Sequence, residues 1–168
     1  RPQRLQRPSK SAERRIRSLF ANNGIDAARL EFLPRVAHQE FLAAHGRADI
    51  ALDAFPYHGT TTTCFSLWMG LPVVTLAGTV HASRVGVSML NSVGLPRLIA
   101  RDADEYVEIA ARLAENTAEL AALRPDLRGM LLRSPLADGR ACARALEAAF
   151  REMWAVWCRG QTPGAGAH

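Results

Sequence analysis

Residues 48–78, ADIALDAFPYHGTTTTCFSLWMGLPVVTLAG, constrain the fold more than any other stretch. Two short apolar runs, ADIALD (48–53) and LPVVTLAG (71–78), read as strands of the buried kind. Between them a loop, FPYHG, leads into a threonine run that opens a helix through Met69, and Gly70 stops that helix. Four adjacent threonines are poor helix interior, because each β-branched side chain loses freedom against the preceding turn. They are good at a helix start, where a hydroxyl accepts from an orphan backbone N–H. Strand, helix, strand is the unit of a layered α/β fold with a mainly parallel sheet.

The alternation continues on both sides. SAERRIRSLFAN (11–22) places Ile16, Leu19 and Phe20 at helical spacing and ends at Asn23-Gly24, a stop signal. RLEFLP (29–34) reads as a short strand closed by Pro34, and AHQEFLAAHG (37–46) as a short helix. HASRVGVSMLNSVG (81–94) is predicted helical, LPRLIA (95–100) a strand. Asp102 or Asp104 can cap the next helix, on which Tyr106, Ile109, Ala110 and Leu113 form an apolar stripe. Helical patterns continue over 117–132 and 138–158. The predicted division is a basic segment 1–10, a Rossmann-like lobe 11–158 and a disordered tail 159–168.

Charge and cysteine content exclude several function classes. The net charge of +5 is concentrated at the N-terminus, where Arg1, Arg4, Arg7, Lys10, Arg14, Arg15 and Arg17 face Glu13 alone. The remainder is close to neutral, and no aromatic residues interleave the basic run, so the nucleic-acid reading is set aside. Cys64, Cys142 and Cys158 have no CxxC spacing, which argues against a disulfide scaffold or zinc site. There is no secretory h-region and no apolar run of the ~18 residues a membrane span needs, so a cytoplasmic address is expected.

Ligands of open parallel sheets sit beyond the carboxyl ends of strands, at the helix starts next in the chain. The threonines occupy such a place after strand 48–53. A helix N-terminus attracts anions, Gly59 permits close approach, and threonine hydroxyls can donate to phosphate oxygens. Neither a Walker loop nor a GxGxxG fingerprint is present. Spacing alone leaves helix capping and phosphate binding both open.

From FPYHGTTTTCFSLWMGLPVVTLAG through HASRVGVSMLNSVGLPRLIA to SPLADG and FREMW, the chain resembles O-linked N-acetylglucosamine transferases. The likeness is to the C-terminal lobe, and to bacterial members carried behind tetratricopeptide repeats. It runs from about residue 4 to 157. The resemblance implies a two-lobed GT-B glycosyltransferase, of which this would be the Rossmann-like lobe that binds the UDP of UDP-N-acetylglucosamine. The donor would be a substrate; neither cofactor nor metal is implied.

On that resemblance the diphosphate contacts fall on Thr60, Thr61 and Thr62, with Gly59 beside them. Thr60 stands where the animal enzymes have histidine. The uracil and ribose region falls on Val36, Ala37, His38, Phe41 and Phe65. His38 replaces a lysine, Phe41 a histidine, and Phe65 an acidic residue that holds the ribose hydroxyls. A phenylalanine accepts no hydrogen bond, so UDP selectivity is the property these departures touch. Phe41 and Phe65 are expected in the core, and His38 is either a solvent-facing helix-start residue or a ligand contact. Arg84 is expected in a surface ion pair, with a second phosphate contact as the alternative. His58 and His81 are assigned no chemistry. No segment matching the family's first strand, its diphosphate lysine or its N-terminal lobe is found, and Lys10 is not taken for that lysine.

The reading is a donor-binding portion of a protein O-glycosyltransferase acting on Ser/Thr acceptors, its catalytic residues expected in the N-terminal lobe. One alternative is a nucleotide- or partner-binding module completed by a separate lobe or repeat domain. Leu146, Phe150, Met153, Trp154 and Trp157 would then form an interface, although packing of that stripe against the sheet is the simpler expectation. Another alternative is an inactive remnant with an exposed sheet edge.

Overall fold

In a computed structural model, residues 9–34 and 36–160 are described. The chain divides at residue 44 into two compact units.

The first unit carries helix α1 (Lys10–Asn22) and helix α2 (His38–Ala44). Ser9 caps α1 by accepting from Ala12 N–H at 3.2 Å. The predicted stop at Asn23-Gly24 is a Schellman closure: Gly24 N–H bonds Ala21 O and Ile25 N–H bonds Phe20 O, each at 3.0 Å. Asp26 caps a single 3₁₀ turn, Ala27–Arg29, through Ala28 N–H. Arg17 donates to Ala27 O at 3.0 Å and lies 4.9 Å from the centre of the Phe32 ring. The strand expected over 29–34 is absent. Leu30 is extended, but residues 30–34 carry no strand assignment, and Glu31, Leu33 and Pro34 are exposed. A strand exists only through its ladder, which composition alone does not supply. The basic segment expected over 1–10 lies mostly outside the described residues, and α1 begins at Lys10 rather than Ser11.

The second unit holds the sheet. Strands β1 (Ala51–Leu52), β2 (Val73–Leu76) and β3 (Ile99–Ala100) run parallel in the order β1-β2-β3. Ala51 pairs with Val73 and Leu52 with Val74, whereas Thr75 pairs with Ile99 and Leu76 with Ala100. Helix α3 (Thr61–Trp68) connects β1 to β2, and helix α4 (Val85–Ser92) connects β2 to β3. All three strands are shorter than their apolar runs. In LPRLIA, Pro96 opens a 3₁₀ turn that occupies 96–98. The helix predicted over 81–94 is likewise split by a 3₁₀ turn, His81–Ser83, before α4 begins.

Helix α5 (Ala103–Glu115) comes next, capped by Asp102, which accepts from Glu105 N–H at 2.9 Å. Helix α6 (Thr117–Arg133) carries Pro125 inside it. A proline there costs ~3 kcal/mol, but Leu120, Leu123, Leu127 and Leu131 all enter the core and offset it. With them pack Leu67, Val73, Val74, Leu90, Leu95, Leu98, Ile109 and Leu113. The last helix, α7 (Gly139–Cys158), buries nothing. The expected packing of its apolar stripe against the sheet is therefore not what the structure shows. Arg159 and Gly160 end α7, and the rest of the predicted tail lies outside the described residues.

Candidate functional site

The chain leaves β1 at Asp53, whose carboxylate organises the loop 53–59. Its Oδ1 accepts from Gly59 N–H at 2.8 Å, and its Oδ2 accepts from the Thr75 hydroxyl on β2 at 2.8 Å. The Asp53 carbonyl accepts from the Tyr106 hydroxyl of α5 at 2.9 Å. Burial, and secondarily the Asp53 charge, raise the Tyr106 pKa. One acidic residue thus closes the loop onto the next strand and the next layer.

His58, 1% exposed, makes the second closure. Its backbone N–H donates to Ala82 O at 2.9 Å. Nδ1 accepts from Gly86 N–H at 3.0 Å, so the ring proton sits on Nε2, which donates to Leu76 O at 2.9 Å. That tautomer is assigned from the hydrogen-bond partners. Thr75 Oγ1 lies 3.3 Å from Nδ1 and Asp53 Oδ2 lies 3.6 Å from it. Neither is a hydrogen bond to the ring, since the Thr75 proton goes to Asp53 and the Nδ1 lone pair faces Gly86. Sequence reading gave His58 no role. The signal lay in the turn residues between a strand end and a helix start, but its partners stand 18 and 28 positions away.

On this base stands the start of α3. The four threonines divide. Thr63 is buried and its hydroxyl donates back to Gly59 O at 3.0 Å. Thr60, Thr61 and Thr62 are exposed, and among the described residues their hydroxyls make no intramolecular hydrogen bond. The expected capping fails: Thr60 sits at the N-cap with φ −110° and ψ −76°, and its side chain caps nothing. An N-cap hydroxyl oxygen accepts from the first-turn N–H groups when its own backbone is extended, a conformation Thr60 does not adopt. The first-turn N–H groups therefore remain open together with three hydroxyls. A β-carbon at Gly59 would collide with the Thr62 hydroxyl and approach Thr63 Oγ1 to 2.8 Å, so the residue type there is set by space.

Thr60 lines a cleft of about 500 Å³ with His81, Arg84, Val85, Val87 and Ser88. Thr62 faces a smaller hollow of about 230 Å³, beside Asp53, Gly59 and Val73. Arg84 is exposed and donates to Gly78 O at 3.0 Å; among the described residues it has no carboxylate partner. The ion pair expected for it is replaced by a carbonyl anchor that leaves the charge unneutralised at the mouth of the cleft.

The remaining candidates fall elsewhere. Phe65 lies in α3 and is half-buried, not in the core as expected. Val36, Ala37, His38 and Phe41 belong to the first unit. Val36 is half-buried, and Ala37 and His38 are exposed. Phe41, also expected in the core, is half-buried and stacks with His38 at 6.5 Å between ring centres. Gly59 to Phe65 thus form one set within the second unit.

A parallel sheet with helices between its strands, and an open helix start beyond the first strand, describe a Rossmann-like lobe. The structure superposes on a mutant O-GlcNAc transferase of Thermobaculum terrenum with TM-score 0.83 and 36% identity, over 90% of this chain and 29% of that one. This is the GT-B glycosyltransferase fold. The model of Glycosyl transferase family 41 matches residues 4–146, and the chain belongs to that family.

Among curated relatives, a probable UDP-N-acetylglucosamine–peptide N-acetylglucosaminyltransferase SPINDLY of Hordeum vulgare is 45% identical over 154 residues, 91% of this chain and 16% of the relative. The SPINDLY protein of Arabidopsis thaliana is 43% identical over 91% of this chain and 17% of its own length. The UDP-N-acetylglucosamine–peptide N-acetylglucosaminyltransferase of Caenorhabditis elegans is 34% identical over 84% of this chain and 12% of its own. The chain spans about a sixth of the length of these plant relatives.

Proposed function

We propose that this chain is the donor-binding portion of a protein O-glycosyltransferase. It would hold the diphosphate of a UDP-sugar, UDP-N-acetylglucosamine by the relatives' names, on Thr60, Thr61, Thr62 and Gly59. The observation that carries this reading is the division of the threonines. One is spent on the loop, and three present free hydroxyls at an uncapped helix start whose dipole favours anions. Arg84 adds a full positive charge across the cleft from Thr60. These residues supply electrostatic stabilisation of a diphosphate leaving group, so the reading requires neither metal nor cofactor. Val36, Ala37, His38, Phe41 and Phe65 remain the proposed uracil and ribose region, with Phe65 at the place that would hold the ribose hydroxyls.

A cytoplasmic location and Ser/Thr protein acceptors belong to the same proposal. Among the described residues no helix is long and apolar enough to cross a membrane. The bacterial, repeat-associated subtype stays part of the proposal; the Thermobaculum structure is 36% identical, whereas the SPINDLY protein of Hordeum vulgare is 45% identical. Because glycosyl transfer needs donor, acceptor and base in one cleft, the 168-residue chain alone is expected to bind donor without turning it over.

Thermal unfolding with UDP, with GDP and with the Thr61→Ala/Thr62→Ala variant tests the reading. At ligand ~100-fold above the dissociation constant, binding stabilises by about 2.7 kcal/mol. For a domain of this size that is roughly 2–4 °C per kcal/mol. A UDP shift lost in the variant is the expected result. An equal GDP shift would reassign the base, and a cooperative transition indifferent to both nucleotides would end the donor reading.

A second reading is favoured by α7, whose Leu146, Phe150, Met153, Trp154 and Trp157 are each more than half exposed. Here the chain is a module whose apolar helix face packs on the remainder of a family-length glycosyltransferase, the larger part of the relatives that this chain does not span. Tryptophan fluorescence that shifts to shorter wavelength on adding the remainder supports it; an unchanged spectrum in a formed complex rejects it.

A further inference from the structure

We propose that His58 is a positioning residue that sets the spacing between the starts of α3 and α4, and with it the width of the cleft between Thr60 and Arg84. The ligand readout of this proposal rests on the donor-site reading; its structural readout does not.

Three contacts carry it. His58 lies two residues before Thr60, and its backbone N–H is fixed to Ala82 O at 2.9 Å. Its Nε2–H is fixed to the end of β2 at Leu76 O. Its Nδ1 receives the N–H of Gly86, two residues after Arg84 and in the first turn of α4. The ring is therefore a strut with one end on the sheet and the other on the helix that forms the far wall of the cleft. Gly86 is pressed against it: a β-carbon there would stand 2.5 Å from Thr75 Oγ1, 2.6 Å from Asp53 Oδ2 and 3.0 Å from His58 Nδ1. Any side chain at this position would therefore press on that cluster. Removing the Nδ1 arm takes the acceptor from the buried Gly86 N–H, and removing the Nε2 arm takes the ring donor from the part-buried Leu76 carbonyl.

The two arms can be separated. In His58→Asn the amide oxygen reaches the place of Nδ1 and keeps an acceptor for Gly86 N–H, but the arm to Leu76 O is lost. In His58→Gln the amide nitrogen reaches the place of Nε2 and keeps the donor to Leu76 O, but the acceptor for Gly86 is displaced. His58→Leu removes both. The experiment measures hydrogen exchange of the Gly86 amide and the UDP dissociation constant for all four chains. Melting temperatures are recorded alongside.

The expected result is that Gly86 protection falls at least tenfold in the Gln and Leu variants and less than threefold in the Asn variant. UDP binding should weaken in the same order, whatever the order of melting temperatures. Unchanged Gly86 protection in the Gln and Leu variants overturns the proposal. So does UDP affinity that follows melting temperature rather than Gly86 protection, which marks a purely structural histidine. If the unaltered chain binds no UDP, the donor reading fails, and Gly86 protection alone decides the strut.

Discussion

Helices α5 and α7 are both amphipathic, and their apolar faces meet opposite environments. In α5 the stripe of Tyr106, Ile109 and Leu113 lies over β2 and β3, with Leu113 fully buried and Ile109 4% exposed. In α7 a longer and more aromatic stripe is open. Trp154 and Trp157 stack on each other, their ring centres 5.2 Å apart, and are 64% and 66% exposed. Periodicity decides that a face is apolar, whereas the supply of partner surface decides whether it is buried. Among the described residues the stripe of α7 is met by no such surface, and none of its residues is buried.

The largest expected contrast is between two truncations. Leu113→Ala should cost about 2–5 kcal/mol, as buried leucines do, and should lower the melting temperature markedly. Trp157→Ala removes a larger side chain yet should stay within about 0.5 kcal/mol. Denaturant unfolding of both checks this, and a loss in Trp157→Ala comparable to that of Leu113→Ala would break the comparison.

Next in size are the two helix caps. Asp102 and Asp138 accept from first-turn N–H groups at 2.9 and 2.8 Å. Losing such a cap costs ~1 kcal/mol. Asp102→Ala should therefore lower global stability by that amount, because α5 is part of the core. Asp138→Ala should fray α7 alone, seen as lost helical signal in circular dichroism without a shift of the main transition. Tyr106→Phe, which removes the hydroxyl that holds Asp53 O, is expected to cost about 1 kcal/mol. The same substitution on the open face of α7 has no counterpart.

The smallest effect is electrostatic. On α5, the hydrogen bond from Arg101 draws the Glu105 carboxyl below its ordinary value. A carboxylate so lowered contributes stability that is present above its unfolded pKa and lost as pH falls through the folded one. The partner Arg101 is exposed, so the contribution is slight. Melting temperatures of the native chain and Glu105→Gln should converge as pH drops below about 4, and a gap that widens on acidification would contradict the assigned partner.

The local features of this chain were legible from sequence because they depend on neighbours along the chain. The helix over 61–68 arises from a glycine-led start and a Gly70 stop, where φ is +76°. The Asp102 cap, the Asn23-Gly24 closure and the parallel sheet were legible in the same way. So was the placement of the threonine run at a helix start after the first strand, since the βαβ order puts a helix start beyond each strand end. Residues 29–34 mark the limit: their composition suits a strand, but among the described residues the only strand pairings are β1 with β2 and β2 with β3.

Only the tertiary structure decided which threonine is spent and which are free, because that depends on Asp53 seizing Gly59 N–H and Thr63 turning back onto Gly59 O. It alone made His58 a strut, through partners 18 and 28 residues away, and it left Arg84 without a carboxylate among the described residues. It also left α7 open. A sequence determines hydrogen-bonding capacity and the direction of apolar faces. Which groups are used up, and which remain to meet a ligand or another chain, is settled by contacts between residues far apart in sequence.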